Sequence, residues 1–516
     1  MNGIYLALPV FLPILGGLLL LTFRDKISGE REERMMNLGV EGLVIINSLI
    51  ILMLLVKLYG AKDSGNLEFT LFRLFGNLTV MFKLDRLGSV FAGLIAFLWP
   101  LATLYAFEYM KEEPRKPGFF AFYTMTYGVT TGIAFAGSLI TLYLFYELLT
   151  LVTFPLVLQP LTREAAHASR TYLYYSLGGA AFAFLGLVLV LGFSATGNTG
   201  FVPGGMLNTG ITQNQKNILL MFYVLAFFGF GVKAALFPCH GWLPKATVAP
   251  TPVTALLHAV AVVKSGAFAI LRLTYFSFGA EFLRGTWAQW VVMAAALVTI
   301  VYGSTMAVRE VHWKRRLAYS TISNLSYILF GVSIMSPFGL AAALCHMVAH
   351  AFMKICGFFC AGAVMHQTGK TYIYELDGMG KKMPITFGCF TVSSLSLMGV
   401  PLFAGFISKW NLCQAAFEYA GQAVSDNIPG GWFPYAGVAV ILYSALMTAF
   451  YMLTVVIRAY FPKAESGQGI KKGKDFHDPN WMMLLPLVIF VAVIVAIGLH
   501  SAPLMHLFLS IGGEAG

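Results

Sequence analysis

The stretch FGFGVKAALFPCHGWLPKATVAPTPVTALLHAVAVVKSGAFAILR, residues 228–272, sets two lysines in otherwise apolar segments with a proline-rich interruption between them. Lys233 precedes Pro238, which ends the first apolar run, and Lys264 lies inside the run that follows APTP at 249–252. A charge at the centre of a spanning helix costs about 2.5–3.5 kcal/mol on insertion scales, so such residues face a partner or a water-filled cavity. The rest of the chain makes a membrane setting unavoidable. Of its 516 residues 58% are hydrophobic and only 11% charged, and the mean hydropathy is +0.75, whereas soluble domains carry about a quarter charged residues. An all-α polytopic membrane protein is expected.

Runs of about 20 apolar residues, long enough to cross a bilayer, fall near 4–22, 38–59, 88–109, 119–136, 139–159, 171–193, 217–238, 250–275, 286–308, 318–334, 337–365, 384–417, 434–459 and 481–500. This reading gives fourteen spans, with loops at 60–87, 194–216 and 461–479. The opening MNGIYLALPVFLPILGGLLLL has no basic leader and reads as the first span rather than a cleaved signal. Loops after odd-numbered spans hold 21 lysines and arginines and loops after even-numbered spans six. The positive-inside rule therefore places the odd loops in the cytoplasm and both termini outside; the expected location is a prokaryotic cell membrane. The net charge of +11 is assigned to these loops, not to nucleic acid.

Six cysteines lie in or beside apolar segments without a CxxC pair; Cys356 and Cys360, one turn apart on an apolar helix, read as packing. There is no Gly-rich nucleotide loop, no metal-ligand cluster and no heme or iron–sulfur spacing, so no cofactor is expected on this chain.

Lys57, Arg272 and Arg458 sit near span ends, where long side chains reach the headgroups. Deeper lie Glu147, Lys233, His258, Lys264, His346, His350, Lys354 and Lys409. Glu147 has no cation in its own span, and Lys233 is the natural partner; the alternative to a titrating pair is a static ion pair fastening two helices. His346, His350 and Lys354, spaced i, i+4, i+8, form one helical stripe, either a proton wire or a wet seam. His258 reads equally as a packing histidine, and His240 as an accessory group beside the break. Two spans, the seventh and the twelfth, look broken: one at Pro238, after Lys233, and one at Pro401 and Gly405, before Lys409. Interrupted segments in corresponding halves mark ion sites in inverted-repeat transporters. This suggests two five-helix repeats, spans 4–8 over 119–275 and spans 9–13 over 286–459, preceded by 1–110 and followed by 481–500.

FPCHGWLPKATVAPTPVTALLHAVAVVKSGAFAILR (237–272) resembles the signature of the proton-conducting antiporter-like family, which comprises antiporter-like subunits of complex I, Mrp-type antiporter subunits and their membrane-bound hydrogenase counterparts. FKLDRLGSVF (82–91), YELL around Glu147, KRRLAYSTISNLSY (314–327), HMVAHAFMKICGFFCAG (346–362) and GVPLFAGFISKW (399–410) match in the same order. The resemblance, nearest to the D-type Mrp antiporter subunits, implies the fourteen-helix inverted-repeat fold. It also implies a relay through Glu147, Lys233, Lys264, His350, Lys354 and Lys409. Cys239, Thr247, His312-Trp313 and Arg170 depart from the pattern without removing a relay position. The expected function is a proton-translocating subunit of a redox-driven multi-subunit complex. The alternatives are a D-type component of a multi-subunit Na+/H+ antiporter without redox chemistry and a non-pumping scaffold. Expected partners are other membrane subunits, protons with Na+ as the rival ion, and lipid.

Overall fold

The computed structural model describes residues 3–27, 29–60, 67–76, 78–195, 200–208, 210–462 and 476–515. Lys62, Lys463, Lys471, Lys472 and Lys474, which contribute to the orientation argument, lie outside the described residues, as do parts of the three expected loops.

Each of the fourteen apolar stretches contains a helix. In chain order these are α1 (Leu8–Phe23), α2 (Glu30–Gly60), α3 (Arg86–Tyr109), α4 (Lys116–Ala134), α5 (Leu139–Leu158), α6 (Arg163–Gly192) and α7 (Gln213–Gly231). The eighth stretch is two short helices, α8 (Thr251–Ala259) and α9 (Val262–Leu271), running into a wide turn at Arg272–Phe278. There follow α10 (Trp287–Arg309), α11 (Trp313–Ser333), α12 (Pro337–Thr368), α13 (Pro384–Met398), α14 (Ala404–Ser425), α15 (Phe433–Tyr460) and α16 (Trp481–Leu499). A further helix, α17 (Ala502–Ala515), folds back so that Gly512 lies against the backbone of Pro337. Among the described residues nine of these segments are long and apolar enough to cross a membrane. The others are shorter or more polar; α11 buries Ser320, Thr321, Ser323, Asn324 and Ser326.

The middle of the fold is α12. Its most apolar 18-residue window is entirely buried, against 28% for α16 at the periphery. Ser336 caps its start, Pro337 occupies the first turn, and Gly369 ends it in the left-handed conformation, the expected signals for both termini. Around it pack α8, α11, α13, α14, α16 and α17.

Both expected breaks are present, and both differ in detail from the sequence reading. The first is set at Ala235, three residues before Pro238: the regular helix α7 stops at Gly231 and the chain has no further regular helix until Trp242. Leu236 N–H bonds Gly231 O (2.9 Å) and Ala235 N–H bonds Val232 O (3.0 Å), with Ala235 at φ +56°. That is a Schellman termination, and it needs no proline. The stretch 384–417, expected as a broken span, is two helices separated by Gly399–Phe403, with the second reaching Ser425. It ends α13 in the same way, by Val400 N–H to Leu395 O (3.1 Å) and Gly399 N–H to Ser396 O (3.0 Å), Gly399 having φ +91°. Pro401 lies in that break. Gly405 lies in the first turn of α14 instead, where a Cβ would come 1.8 Å from Ser396 O.

Residues 67–84, expected as loop, form an antiparallel hairpin of β1 (Leu67–Phe75) and β2 (Leu78–Leu84). The outer edge of β2 is sealed where Lys83 N–H bonds Phe135 O (2.8 Å) and Gly137 N–H bonds Met81 O (3.0 Å). The hairpin delivers Asp85, which caps α3 at Gly88 N–H (2.8 Å). Asp85 also receives a bidentate bond from Arg272 at 2.5 and 2.7 Å. Arg272 therefore does not reach for headgroups; it is fully buried against Asp85 and the rings of Phe201, Phe268 and Phe276. A guanidinium with a fork-matched carboxylate nearby satisfies its donors inside the protein.

Candidate functional site

The first break puts Lys233 in a fully buried position facing α5. Its Nζ donates to the backbone carbonyl of Tyr146 and lies 3.5 Å from the centre of the Tyr146 ring. The expected ion pair with Glu147 is not made directly. No carboxylate oxygen comes within ion-pair distance of Lys233 among the described residues, and Glu147 Oε1 has no hydrogen-bond partner. Successive residues on a helix point in different directions, so a lysine seated on Tyr146 misses the next carboxylate. The two remain electrostatic neighbours. Backbone groups freed by the break are met locally: Trp242 Nε1 donates to Val232 O (2.8 Å) and Phe237 N–H to Thr299 Oγ1 (3.0 Å).

The break also fixes Lys264. Gly266 of α9 packs so closely on it that a Cβ would lie 2.6 Å from Ala234 N and 3.0 Å from the Lys233 carbonyl carbon. Two residues before Gly266, Lys264 Nζ is hydrogen-bonded to His350 Nδ1 of α12. His350 and His346 stack with ring centres 5.8 Å apart at 20°. His346 Nδ1 meets Ser408 Oγ at 2.9 Å, and Tyr327 stands edge-on to its ring at 5.1 Å. Ser408 adjoins Lys409 on α14, whose Nζ donates to the carbonyls of Leu397 (2.7 Å) and Met398 (3.2 Å) at the end of α13. A cation there also complements the helix C-terminal dipole.

Lys354 shares the helix but not the row. Its Nζ turns to Ser320 Oγ (2.6 Å) and Leu317 O (3.2 Å) of α11. Each step of four residues rotates a helical stripe by about 40°, enough to carry the third member of the stripe to another neighbour. His258 packs on Phe358 at 4.8 Å and, among the described residues, makes no hydrogen bond through either ring nitrogen. His240 lies in the break against Phe237 and Tyr302, away from the row. Sequence reasoning missed Tyr146, Ser408, Ser320 and Tyr327. The run STISNLSY in α11, polar yet span-length, was the available signal for Ser320 and Tyr327.

Interrupted spans, buried basic groups and a helical membrane fold together define an ion-translocating type of membrane protein. The chain belongs to the NADH:quinone oxidoreductase/Mrp antiporter family, whose transmembrane profile matches residues 136–425; the profile of the N-terminus of complex I chain 5 matches residues 75–120. It is an antiporter-like membrane subunit of that family. NADH-quinone oxidoreductase subunit N of Desulforudis audaxviator is 32% identical over 428 residues, covering 81% of each chain. The A/B subunit of a probable K(+)/H(+) antiporter of Rhizobium meliloti is 32% identical over 430 residues, which are 83% of this chain and 41% of that longer protein. In the structure of the membrane-bound sulfane sulfur reductase, an archaeal respiratory membrane complex, one chain superposes with a TM-score of 0.82 at 25% identity, covering 99% of this chain and 97% of that one.

Proposed function

We propose that this chain carries protons through a multi-subunit, redox-driven membrane complex. The path runs from Lys233, gated by Glu147, through Lys264, His350 and His346 to Lys409 and outward, with Lys354 as a side branch that must hold its proton for the row to turn over. The observation that carries the reading is the Lys264–His350 contact, which joins the two broken regions through buried groups that exchange protons. Movement of Glu147 toward or away from Lys233 would favour or disfavour the charged lysine and so load or release its proton. The like terminations of α7 and α13 support the division into two inverted repeats, 119–275 and 286–459. On the same reading the membrane is a prokaryotic cell membrane with both termini outside, and electron carriers reside on partner subunits.

Cation/proton exchange without redox chemistry is the second reading, favoured by the antiporter relative, which matches at the same identity as the oxidoreductase relative. Co-purification of the native complex separates the two readings: redox subunits support the first, and small antiporter subunits alone the second. The relay is tested by Lys233→Ala in membrane vesicles holding the assembled complex. Proton transport should fall at least tenfold; undiminished transport would favour the scaffold alternative.

A further inference from the structure

We propose that Tyr451 of α15 is a positioning residue that supports the protonated form of Lys354 through a directional chain of hydroxyl groups. The inference rests on the relay reading above. Lys354 is fully buried and, among the described residues, bonded to no carboxylate. The ionisable groups that face it are basic: Lys264 and His258 from α9 and α8, His350 on its own helix, and Lys409 on α14. Its charge is therefore supported by neutral oxygens, and the nearest is Ser320 Oγ at 2.6 Å.

An ammonium only donates, so Ser320 Oγ accepts from Lys354 and must place its own hydrogen elsewhere. Tyr451 OH stands 2.6 Å from Ser320 Oγ. Tyr451 can pass the polarity on to Thr448 Oγ1 at 3.1 Å, and Thr448 donates to Ser444 O at 2.7 Å. The chain Lys354, Ser320, Tyr451, Thr448 then runs donor to acceptor throughout and ends on a carbonyl. When Lys354 is a neutral amine its lone pair accepts from Ser320, which in turn accepts from Tyr451, and that part of the chain reverses. All four side chains are at most 1% exposed, so water does not substitute freely for a missing partner. Tyr451 is itself held by Arg316, whose Nη1 donates to its backbone oxygen at 2.8 Å.

Tyr451→Phe keeps the ring and removes the hydroxyl. With Lys354 charged, the Ser320 hydrogen loses its acceptor and is left buried and unpaired; with Lys354 neutral, Ser320 donates to the amine and loses only a bond it accepted, the smaller cost. The charged form is selectively disfavoured. The experiment is the pH dependence of proton transport by the assembled complex in everted membrane vesicles. The wild type is compared with Tyr451→Phe, Ser320→Ala and Thr448→Val, and Lys264→Ala reports on the relay itself. The alkaline limb should move acid by about one pH unit in Tyr451→Phe, the equivalent of one hydrogen bond. It should move at least as far in Ser320→Ala and less in Thr448→Val. An unmoved limb, or a rate lowered equally at every pH, overturns the proposal while a dead Lys264→Ala leaves the relay standing. Wild-type transport by Lys264→Ala overturns the relay and this inference with it. Should Tyr451→Phe fail to assemble, Ser320→Ala, a smaller change on the same chain, decides.

Discussion

Replacing Asp85 by asparagine should unlock the junction between the hairpin and the α9 end without disturbing the helix cap. Asparagine caps helices as well as aspartate does, so the Gly88 N–H keeps an acceptor and the change isolates the ion pair. Arg272 is 0% exposed and the Asp85 side chain 18%, so the variant leaves a guanidinium with no counter-charge in a closed site. Breaking a buried pair from one side costs about 3–5 kcal/mol. The rings of Phe201, Phe268 and Phe276 lie 4.8–5.2 Å from the guanidinium carbon and keep part of their attraction, which argues for the lower end, about 3 kcal/mol. If the region opens locally, amide hydrogen exchange across 78–88 and 268–279 should quicken about a hundredfold, since 1.4 kcal/mol is tenfold in an opening equilibrium. Adding Arg272→Met removes the orphaned charge and should restore most of the protection. The reasoning also fixes a pH dependence. Burial alone would raise the Asp85 carboxyl, but Arg272, by charge and hydrogen bond, and the Gly88 N–H outweigh it and hold it below the ordinary 3.8. That contribution is present above 3.8 and is lost as pH falls through the lower folded value. Exchange in Asp85→Asn within threefold of the wild type, or no recovery in the double variant, would refute the account.

Gly405→Ala should open the second break, because its Cβ would lie 1.8 Å from Ser396 O; the expected loss is about 3 kcal/mol or more, read as lost thermal stability and transport. Gly388→Ala on the neighbouring α13 meets nothing within 4 Å and is the matched control. Ala235→Gly should raise thermal stability by about 0.5–1 kcal/mol, since the left-handed conformation at φ +56° strains alanine and not glycine; a fall would show that the termination is not strained. His312, at the loop before α11, is held at about 4 by burial and then by the positive charges of Arg315 and Lys314, against an ordinary 6.5. The unfolded chain binds the extra proton between those values, so stability is full above pH 6.5 and declines toward pH 4. His312→Asn should flatten that slope in thermal melts taken from pH 7 to pH 4.

What the sequence made legible follows from local physics. A lysine among apolar residues is visible without a structure, because its insertion penalty demands a reason, and so Lys233, Lys264, Lys354 and Lys409 were all found. Breaks were found from Pro238 and Pro401, but their limits were not. The first break is set by Ala235 in a conformation that its residue type does not announce. Partners across helices were the weakest part. Arg272 looks like a span-end residue until Asp85, 187 positions away, is brought beside it. Glu147 and Tyr146 are adjacent letters, and only the rotation of α5 decides which of them Lys233 touches. Lys354 left the stripe for the same reason: periodicity gives the face of a helix, and the neighbour on that face is a tertiary fact.

The two breaks are alike in backbone and unlike in how they use their lysine, and this bears on which lysine couples charge to shape. At the first, Leu236 and Trp242 satisfy the carbonyls of Gly231 and Val232, so Lys233 is left to reach across to α5. Its proton can leave without stripping the break of donors. At the second, Lys409 itself supplies hydrogen bonds to the carbonyls of Leu397 and Met398. Deprotonation there leaves two hydrogens for the two carbonyls but takes away the charge that strengthens both bonds, and the helix dipole loses its cation. On the proposed relay, discharge of Lys409 would weaken the closure of that helix end, whereas loading of Lys233 would depend on the position of α5 and Glu147. In the proposed direction of flow, the unpaired Glu147 beside Lys233 would govern proton uptake and a helix terminus would govern release.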